Sequence, residues 1–188
     1  MSKALTPREL LDRDSYVVID DFILPKKAAE YYKVFKSDSK KFPELFRNDE
    51  QCSKSLAIYN YRWFVELLVD RTPIISMILG EPALPTYSYA RIYAKEEELK
   101  KHKDRHACEV SVTLHLGSDG TEWPIYFTKP DGTKSSVKLK PGQAVVYLGM
   151  ISEHWRTKFK GNHYGQVFLH YVKSRGDNWD CCFDKIRK

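Results

Sequence analysis

The sequence predicts a single α+β domain whose β half is a sandwich or small barrel with helices packed outside it. The chain has 188 residues, which suits one hydrophobic core and leaves little room for two. Helical signals fill the first half, and short strand signals separated by turns fill the second. Hydrophobic residues make up 42% of the chain and charged residues 30%, a composition that excludes disorder for its bulk. We therefore expect one domain over residues 1–188.

The first predicted elements are a helix, a strand and a second helix. Thr6 followed by Pro7 is an N-cap and first-turn pair that opens a short helix. The β-branched run 16–19 then predicts a strand, and Pro25 begins a longer helix.

Two further helical segments are predicted before the chain changes character. Residues 61–68 form an apolar-rich helix, and a separate helix restarts at Thr72-Pro73 and ends at Gly80. Pro82 and Pro85 exclude further helix.

From Thr86 onward the pattern changes to short β runs divided by turn residues. Asp131-Gly132 and Pro141-Gly142 are turn dipeptides between adjacent strands. The predicted strands are 86–93, 109–116, 124–128, 137–140, 144–148 and 164–172.

Charge and cysteine usage narrow the function classes. The net charge of +6 is mild, and many lysines lie in mixed-charge runs, which counts against nucleic acid as a partner. No stretch approaches the roughly 20 apolar residues of a membrane span, and the N-terminus lacks an apolar signal core, so we expect a soluble cytoplasmic protein. The four cysteines lack C-x-x-C spacing, which indicates reduced thiols.

Three residues have the types and spacing of a metal-binding site. His102 and Asp104 form an H-x-D triplet that we expect at the start of a strand, and His154 follows a predicted turn and strand fifty residues later. Two neutral histidines and a carboxylate on one face of a metal leave open positions on Fe(II). The alternative is a surface His–Asp pair and an unrelated loop histidine.

The residues that carry a family resemblance are segments 84–93, 99–105, 108–114, 154–156 and 166–171, with Pro141-Gly142, Tyr147 and Gly149. Together they resemble the 2-oxoglutarate/Fe(II)-dependent oxygenases near the prolyl 4-hydroxylase branch. The resemblance implies a double-stranded β-helix (jelly-roll or cupin-like) core over about 84–172. It also implies that N-terminal helices, in a supporting segment of about 1–83, pack on one sheet of this core. It implies Fe(II) held by His102, Asp104 and His154, with 2-oxoglutarate and O2 as cosubstrates and succinate and CO2 as products.

The resemblance also implies that a cation holds the far C5 carboxylate of 2-oxoglutarate. Related enzymes usually place an Arg or Lys about ten residues after the distal histidine, but this chain has none between Lys160 and Lys173. Either neutral donors hold the anion or a cation arrives from another strand. We expect Arg156 in this role, since it shares strand parity with His154, and hold Arg91 in reserve. The candidate cosubstrate contacts are Tyr93, Arg91, His115, Arg156 and Gln166.

The expected function is hydroxylation of an unactivated C–H bond, in a prolyl or other amino-acid side chain of a peptide or small-molecule substrate. Two alternatives remain: a non-enzymatic basic β-sandwich module that binds a polyanion, and a cupin-like metalloenzyme that does not use 2-oxoglutarate. The loops expected to choose the substrate, about 36–55 and 95–101, carry no specificity code. The sequence also leaves the oligomeric state open.

Overall fold

The computed structural model describes residues 4–48 and 51–185, and within them it has three α-helices and ten β-strands. The helices are α1 (Pro7–Asp14), α2 (Pro25–Lys41) and α3 (Arg62–Leu79). None of these helices is long and apolar enough to cross a membrane. The strands are β1 (Tyr16–Ile19), β2 (Leu56–Tyr59), β3 (Ala83–Ala94), β4 (Leu99–His102), β5 (Val110–Ser118), β6 (Ile125–Thr128), β7 (Lys134–Val137), β8 (Ala144–Tyr147), β9 (His154–Arg156) and β10 (His163–Lys173).

The strands form two antiparallel sheets. The large sheet has the order β1-β8-β5-β10-β3-β2 and the small sheet the order β4-β9-β6-β7. From β3 to β10 the chain passes back and forth between the two sheets, which is the path of a double-stranded β-helix. Phe127 of the small sheet and Tyr147 of the large sheet pack together, with ring centroids 5.3 Å apart. The predicted α+β class and β-helix core are confirmed.

Alternation along β5 separates the helix side of the large sheet from the barrel interior. Its apolar residues, from Val110 to Leu116 in steps of two, pack into the same core as Phe35 of α2 and Phe64 of α3. Its polar residues Ser111, Thr113 and His115 are buried as well, and they belong to the opposite face. The helices therefore cover one face of the large sheet, and the other face is free to build a polar interior.

The helix predicted in two pieces is a single helix. α3 runs from Arg62 to Leu79 with Pro73 inside it. Pro73 is exposed, so the backbone hydrogen bond that it cannot donate is lost on the solvent side. Burial of both halves of the helix in one core outweighs that local cost.

Short strands account for the other differences from the sequence prediction. Strands β2, β4 and β9 have three or four residues each and were not predicted. β4 reads Leu-Lys-Lys-His, with one fully buried residue, so it lacks a strand-like apolar pattern. β7 occupies Lys134–Val137, three residues earlier than the predicted strand 137–140.

A tyrosine of α2 fits over two glycines of the large sheet. Gly117 of β5 and Gly165 of β10 are cross-strand partners, and the ring of Tyr32 lies against both. The Tyr32 hydroxyl is 2.6 Å from His163 Nδ1, and burial raises the pKa of this phenol to about 12. The two glycines therefore leave the space in which the helix docks.

We expect Gly165→Ala to destabilise the protein by about 1–3 kcal/mol, the usual cost of overpacking. An added Cβ would lie 2.3 Å from Cε2 of Tyr32, so the ring would have to move. Chemical denaturation measures the change, and a Tyr32→Ala background supplies the control. If Gly165→Ala costs the same with and without the Tyr32 ring, the steric explanation is wrong.

Candidate metal centre

The small sheet brings His102, Asp104 and His154 together. His102 ends β4 and His154 begins β9, and the two residues are direct cross-strand partners. Asp104 follows β4, where its backbone N–H donates to the carbonyl of Gly149 at 2.9 Å. One ligand atom from each side chain lies within 4.8 Å of the others. The expectation that the triplet opens a strand is wrong, because it closes one, but the predicted convergence is present.

Backbone carbonyls orient both imidazoles toward the carboxylate. His102 Nδ1 lies 2.8 Å from the carbonyl oxygen of Lys100, and His154 Nδ1 lies 2.9 Å from that of Ser152. A carbonyl only accepts, so each Nδ1 carries the proton and each Nε2 presents a lone pair. The two Nε2 atoms lie 3.6 and 3.7 Å from Asp104 Oδ1, beyond hydrogen-bond range but close enough to share one ion.

A serine that the sequence analysis missed fixes the other oxygen of Asp104. The Ser111 hydroxyl donates to Asp104 Oδ2 at 2.7 Å and lies 3.0 Å from His170 Nδ1. Burial lowers the pKa of His170 to about 4, so this neutral ring can donate its Nδ1–H to the serine oxygen. Such contacts hold a ligand carboxylate in one orientation. The available signal was strand parity, because Ser111 shares the inward face of β5 with His115.

Gly149 leaves room for this arrangement. A Cβ at Gly149 would lie 2.6 Å from Asp104 Oδ2 and 2.3 Å from the carbonyl oxygen of Cys108. No side chain fits there without moving backbone or the carboxylate. The glycine therefore permits the close approach of the loop before β9 to Asp104.

Burial keeps His154 neutral. Desolvation lowers its pKa below the ordinary value, and the nearby positive charge of Arg156 acts in the same direction. The negative charge of Asp104 opposes this shift but does not overcome it. His154 therefore holds a free Nε2 lone pair at neutral pH, which is the form that binds a metal.

We expect Fe(II) affinity to fall as the pH drops below about 6. Protons compete with the metal for the histidine nitrogens, and burial holds the pKa of His154 below the unperturbed value near 6.5, so acid below that pH weakens binding. Anaerobic Fe(II) titrations at pH 5, 6 and 7 measure the effect, with circular dichroism at each pH as the control for unfolding. Equal affinity at pH 5 and pH 7 would contradict histidine ligation.

A cavity of about 490 Å³ opens beside the three residues. Both histidines and Asp104 line it, and so does Arg91 of β3. Tyr147 also lines it, with its hydroxyl 3.4 Å from His154 Nε2. Its volume lies in the range of small-molecule sites.

Arg156 lies in the barrel interior on the same side of β9 as His154, as strand parity predicts. Both residues are 2% exposed, while Trp155 between them is half-buried. The Arg156 guanidinium donates to Gln166 Oε1 at 3.1 Å and to the carbonyl oxygen of Trp123. It also lies over the ring of Tyr164, 5.1 Å from the centroid.

The other predicted cosubstrate residues lie in two groups around this arginine. His115 is the cross-strand partner of Gln166 and stacks on Tyr164 with centroids 4.1 Å apart, so it lies on the Arg156 side. Tyr93 lies instead with Arg91, whose Nη1 donates to the tyrosine hydroxyl at 2.8 Å. The structure thus groups His115 and Gln166 with Arg156, and Tyr93 with Arg91.

Comparisons with known proteins identify the fold. No family model and no curated protein sequence matches the chain. Solved structures do, including a prolyl-4-hydroxylase from Pseudomonas putida, at 12% identity and a TM-score of 0.69, covering 89% of this chain and 96% of that one. EctD from S. alaskensis with bound Fe is 13% identical, with a TM-score of 0.70 and coverages of 87% and 74%. HygX from Streptomyces hygroscopicus with nickel and 2-oxoglutarate bound is 12% identical, with a TM-score of 0.69 and coverages of 92% and 89%.

These likenesses show that the chain has the fold of the 2-oxoglutarate/Fe(II) oxygenases. The resemblance noted in the sequence is confirmed at the level of the fold. At such low identities the fold carries no information on the reaction, which has to be argued from the site itself.

Proposed function

We propose that this protein is an Fe(II)- and 2-oxoglutarate-dependent oxygenase that hydroxylates an unactivated C–H bond. The observation that carries the proposal is the convergence of His102 Nε2, His154 Nε2 and Asp104 Oδ1 at the wall of a cavity. Three such ligands on one face leave the remaining positions of an octahedral metal open. A prolyl or other amino-acid side chain, in a peptide or as a small molecule, remains the candidate substrate.

The donor set fits Fe(II). Two imidazole nitrogens and one carboxylate oxygen suit Fe(II), and no cysteine lies in this ligand cluster of the described residues. When bound, the iron together with 2-oxoglutarate and O2 supplies the oxidant that inserts oxygen into the C–H bond, and succinate and CO2 are released. The protein binds and orients: Lys100 and Ser152 carbonyls hold the imidazoles, and Ser111 holds the carboxylate.

The barrel interior around Arg156, which holds His115, Tyr164 and Gln166 and which we call the chamber, is the site that we propose for the C5 carboxylate of 2-oxoglutarate. Within the described parts of the chain, no carboxylate lies within ion-pair distance of the Arg156 guanidinium, whose protein acceptors are a carbonyl and an amide. A buried charge without a counter-ion is costly, and an anionic ligand removes that cost. Arg156 thereby supplies from β9 the cation that the last core strand lacks.

Unpaired polar atoms mark the same chamber. His115 Nδ1, Gln166 Nε2 and the Tyr164 hydroxyl are buried without a hydrogen-bond partner within the described structure. Buried polar groups in folded proteins are nearly always satisfied, so a bound molecule with acceptor oxygens is the simplest completion. Burial, helped by the nearby charge of Arg156, lowers the pKa of His115 to about 4, so this ring is neutral at pH 7.

This chamber favours the oxygenase over both alternatives. A polyanion-binding module needs cations on its surface, whereas Arg156 is inside the barrel. A metalloenzyme that does not use 2-oxoglutarate leaves the buried guanidinium and the three unpaired atoms without a role. Aromatic side chains of Tyr93, Trp123, Phe159 and Tyr164 pack around the chamber and exclude water from it.

Turnover of 2-oxoglutarate tests the proposal. The protein is reconstituted with Fe(II) and 2-oxoglutarate without oxygen, then exposed to O2 while succinate is measured against a panel of peptides and amino acids. We expect O2-dependent succinate in the parent protein and none in His154→Ala. Iron-loaded, folded protein that forms no succinate with any panel member, or equal succinate from both proteins, would contradict the proposal.

A further inference from the structure

We propose that Tyr147 is a further catalytic residue, whose hydroxyl donates a hydrogen bond to the carboxylate that binds the metal. The inference rests on the proposed function, since it needs a metal at the three ligand residues and takes 2-oxoglutarate as the natural source of that carboxylate. Three features of the molecule support it: the position of the hydroxyl, the acceptor that it faces, and the effect of metal binding on that acceptor.

The side chain of Tyr147 lies in the barrel interior beside a metal ligand. Tyr147 ends β8, is 1% exposed and lines the same cavity as His102, Asp104 and His154. Its ring packs against the imidazole of His154, with centroids 4.7 Å apart, and its hydroxyl oxygen lies 3.4 Å from His154 Nε2. The hydroxyl therefore lies next to the nitrogen that we assign as a metal ligand.

His154 Nε2 is the acceptor that this hydroxyl faces, over a long contact. The Nδ1 atom of His154 donates to the carbonyl oxygen of Ser152, so Nε2 holds the lone pair. A phenol carries its proton at neutral pH and can donate to that lone pair. Metal binding uses the same lone pair, because Nε2 is the proposed ligand atom. A metal-loaded site therefore leaves the Tyr147 hydroxyl as a buried donor that needs another acceptor.

The protein oxygens near the hydroxyl are poorer acceptors than a carboxylate ligand. They belong to Asp104, Ser111 and Thr113. Of the two oxygens of Asp104, Oδ1 is the proposed metal ligand and Oδ2 already accepts from Ser111 at 2.7 Å. Ser111 and Thr113 offer neutral hydroxyls, and hydrogen bonds to a charged acceptor are about twice as strong as those between neutral groups. A carboxylate at the metal is therefore the preferred acceptor.

A carboxylate oxygen on the metal comes within reach of this hydroxyl. Ligands at adjacent positions of an octahedral ion lie roughly 3 Å apart, because each bond is about 2.1 Å long. An oxygen that binds next to His154 is therefore about as far from Nε2 as the Tyr147 hydroxyl oxygen, which lies 3.4 Å away. Since Tyr147 and the ligand residues line one cavity, the two oxygens are neighbours there.

This hydrogen bond gives Tyr147 a defined part in the proposed reaction. Arg156 is the proposed partner of the far C5 carboxylate of 2-oxoglutarate, and Tyr147 holds the end that binds the metal. Fixing both ends of the cosubstrate leaves it one orientation, and such positioning lowers the barrier to reaction. Tyr147 is not itself a ligand in this assignment, so its hydroxyl affects the affinity for carboxylates and not the affinity for the metal.

Two small ligands that differ in their donor atoms test the proposal without turnover. Oxalate binds a metal through carboxylate oxygens, whereas imidazole binds through nitrogen and offers the Tyr147 hydroxyl no acceptor. Both are titrated into Co(II)-loaded protein, in which visible absorption reports a change in the ligands of the metal. The dissociation constants of the two ligands are then compared between variants.

Tyr147→Phe should weaken oxalate binding about tenfold, the effect of one lost charge-assisted hydrogen bond. The dissociation constant for imidazole should stay unchanged or fall, since imidazole makes no use of the hydroxyl. Tyr16→Phe is the matched control, because Tyr16 is the cross-strand partner of Tyr147 and stacks on Phe127 but does not line the cavity. It should leave both constants unchanged.

A merely structural role of the hydroxyl would not separate the two ligands. Thermal unfolding and Co(II) affinity are therefore measured in both variants. Both quantities should stay near the parent values in Tyr147→Phe, because the substitution keeps the ring that fills the interior.

The outcomes separate this inference from the proposed function. Unchanged oxalate binding in Tyr147→Phe, an equal loss for oxalate and imidazole, the same loss in Tyr16→Phe, or no oxalate binding by the Co(II)-loaded parent would overturn the role of Tyr147, whether or not succinate is formed. A parent protein that forms no succinate, but whose oxalate binding depends selectively on Tyr147, would keep the hydrogen bond and reject the oxygenase.

Discussion

Alanine in place of any one of His102, Asp104 or His154 should abolish high-affinity Fe(II) binding and, with it, succinate formation. Each substitution removes one of three ligand atoms that lie within 4.8 Å of one another and leaves a two-ligand site of poor geometry. Anaerobic titration with Fe(II) measures the affinity directly. This is the largest effect that we expect of any single substitution in the chain.

Folding has to be preserved for that result to be informative. The three side chains lie at the edge of the cavity and not in the main apolar core, so each variant should keep the parent circular dichroism spectrum. Ser111→Ala is a graded comparison, because it keeps all three ligands and removes only the contacts of the Ser111 hydroxyl with Asp104 Oδ2 and His170 Nδ1. It should weaken metal binding about 10–100-fold. If all three alanine variants bind iron like the parent protein, the assignment of the ligands is wrong.

Arg156→Ala should raise the KM for 2-oxoglutarate at least tenfold, while Fe(II) affinity stays within a few-fold of the parent value. A tenfold change corresponds to about 1.4 kcal/mol, the scale of one lost charge-assisted hydrogen bond. The guanidinium lies in the chamber with His115 and Gln166 and coordinates no metal. Steady-state kinetics with varied 2-oxoglutarate measures the effect.

Arg91→Ala is the matched comparison, since Arg91 is equally buried and lies on a strand next to the same chamber. Arg156→Lys keeps the charge without the planar fork and should recover part of the affinity. Thermal unfolding of each variant checks that the buried substitution is tolerated. An unchanged KM in Arg156→Ala together with a large rise in Arg91→Ala would assign the carboxylate to Arg91 instead.

Local pattern and strand period were enough to predict much of the candidate site. Period-two alternation places Arg156 beside His154, and both are buried inside the barrel. The H-x-D triplet and the distal histidine were paired from their positions relative to predicted strands, although the strands that carry them, β4 and β9, were not predicted. Those strands are too short and too polar to give a β pattern.

Contacts between distant parts of the chain could not be predicted from local pattern. Ser111 reaches Asp104 and His170 only because β5 pairs with β10 in a particular register. Arg105 likewise pairs with Asp184, which lies 79 residues later in the chain. The rings of Tyr59, Tyr89 and Phe168 likewise meet only because their three strands pair in the folded sheet.

A crystal structure from crystals grown with Mn(II) and 2-oxoglutarate tests the central claim most directly. The account predicts one anomalous peak within coordination distance of His102 Nε2, His154 Nε2 and Asp104 Oδ1. It also predicts 2-oxoglutarate density that runs from that peak to the Arg156 guanidinium, with His115 and Gln166 as hydrogen-bond donors. A metal bound away from these three atoms, or 2-oxoglutarate bound outside the barrel, would contradict it.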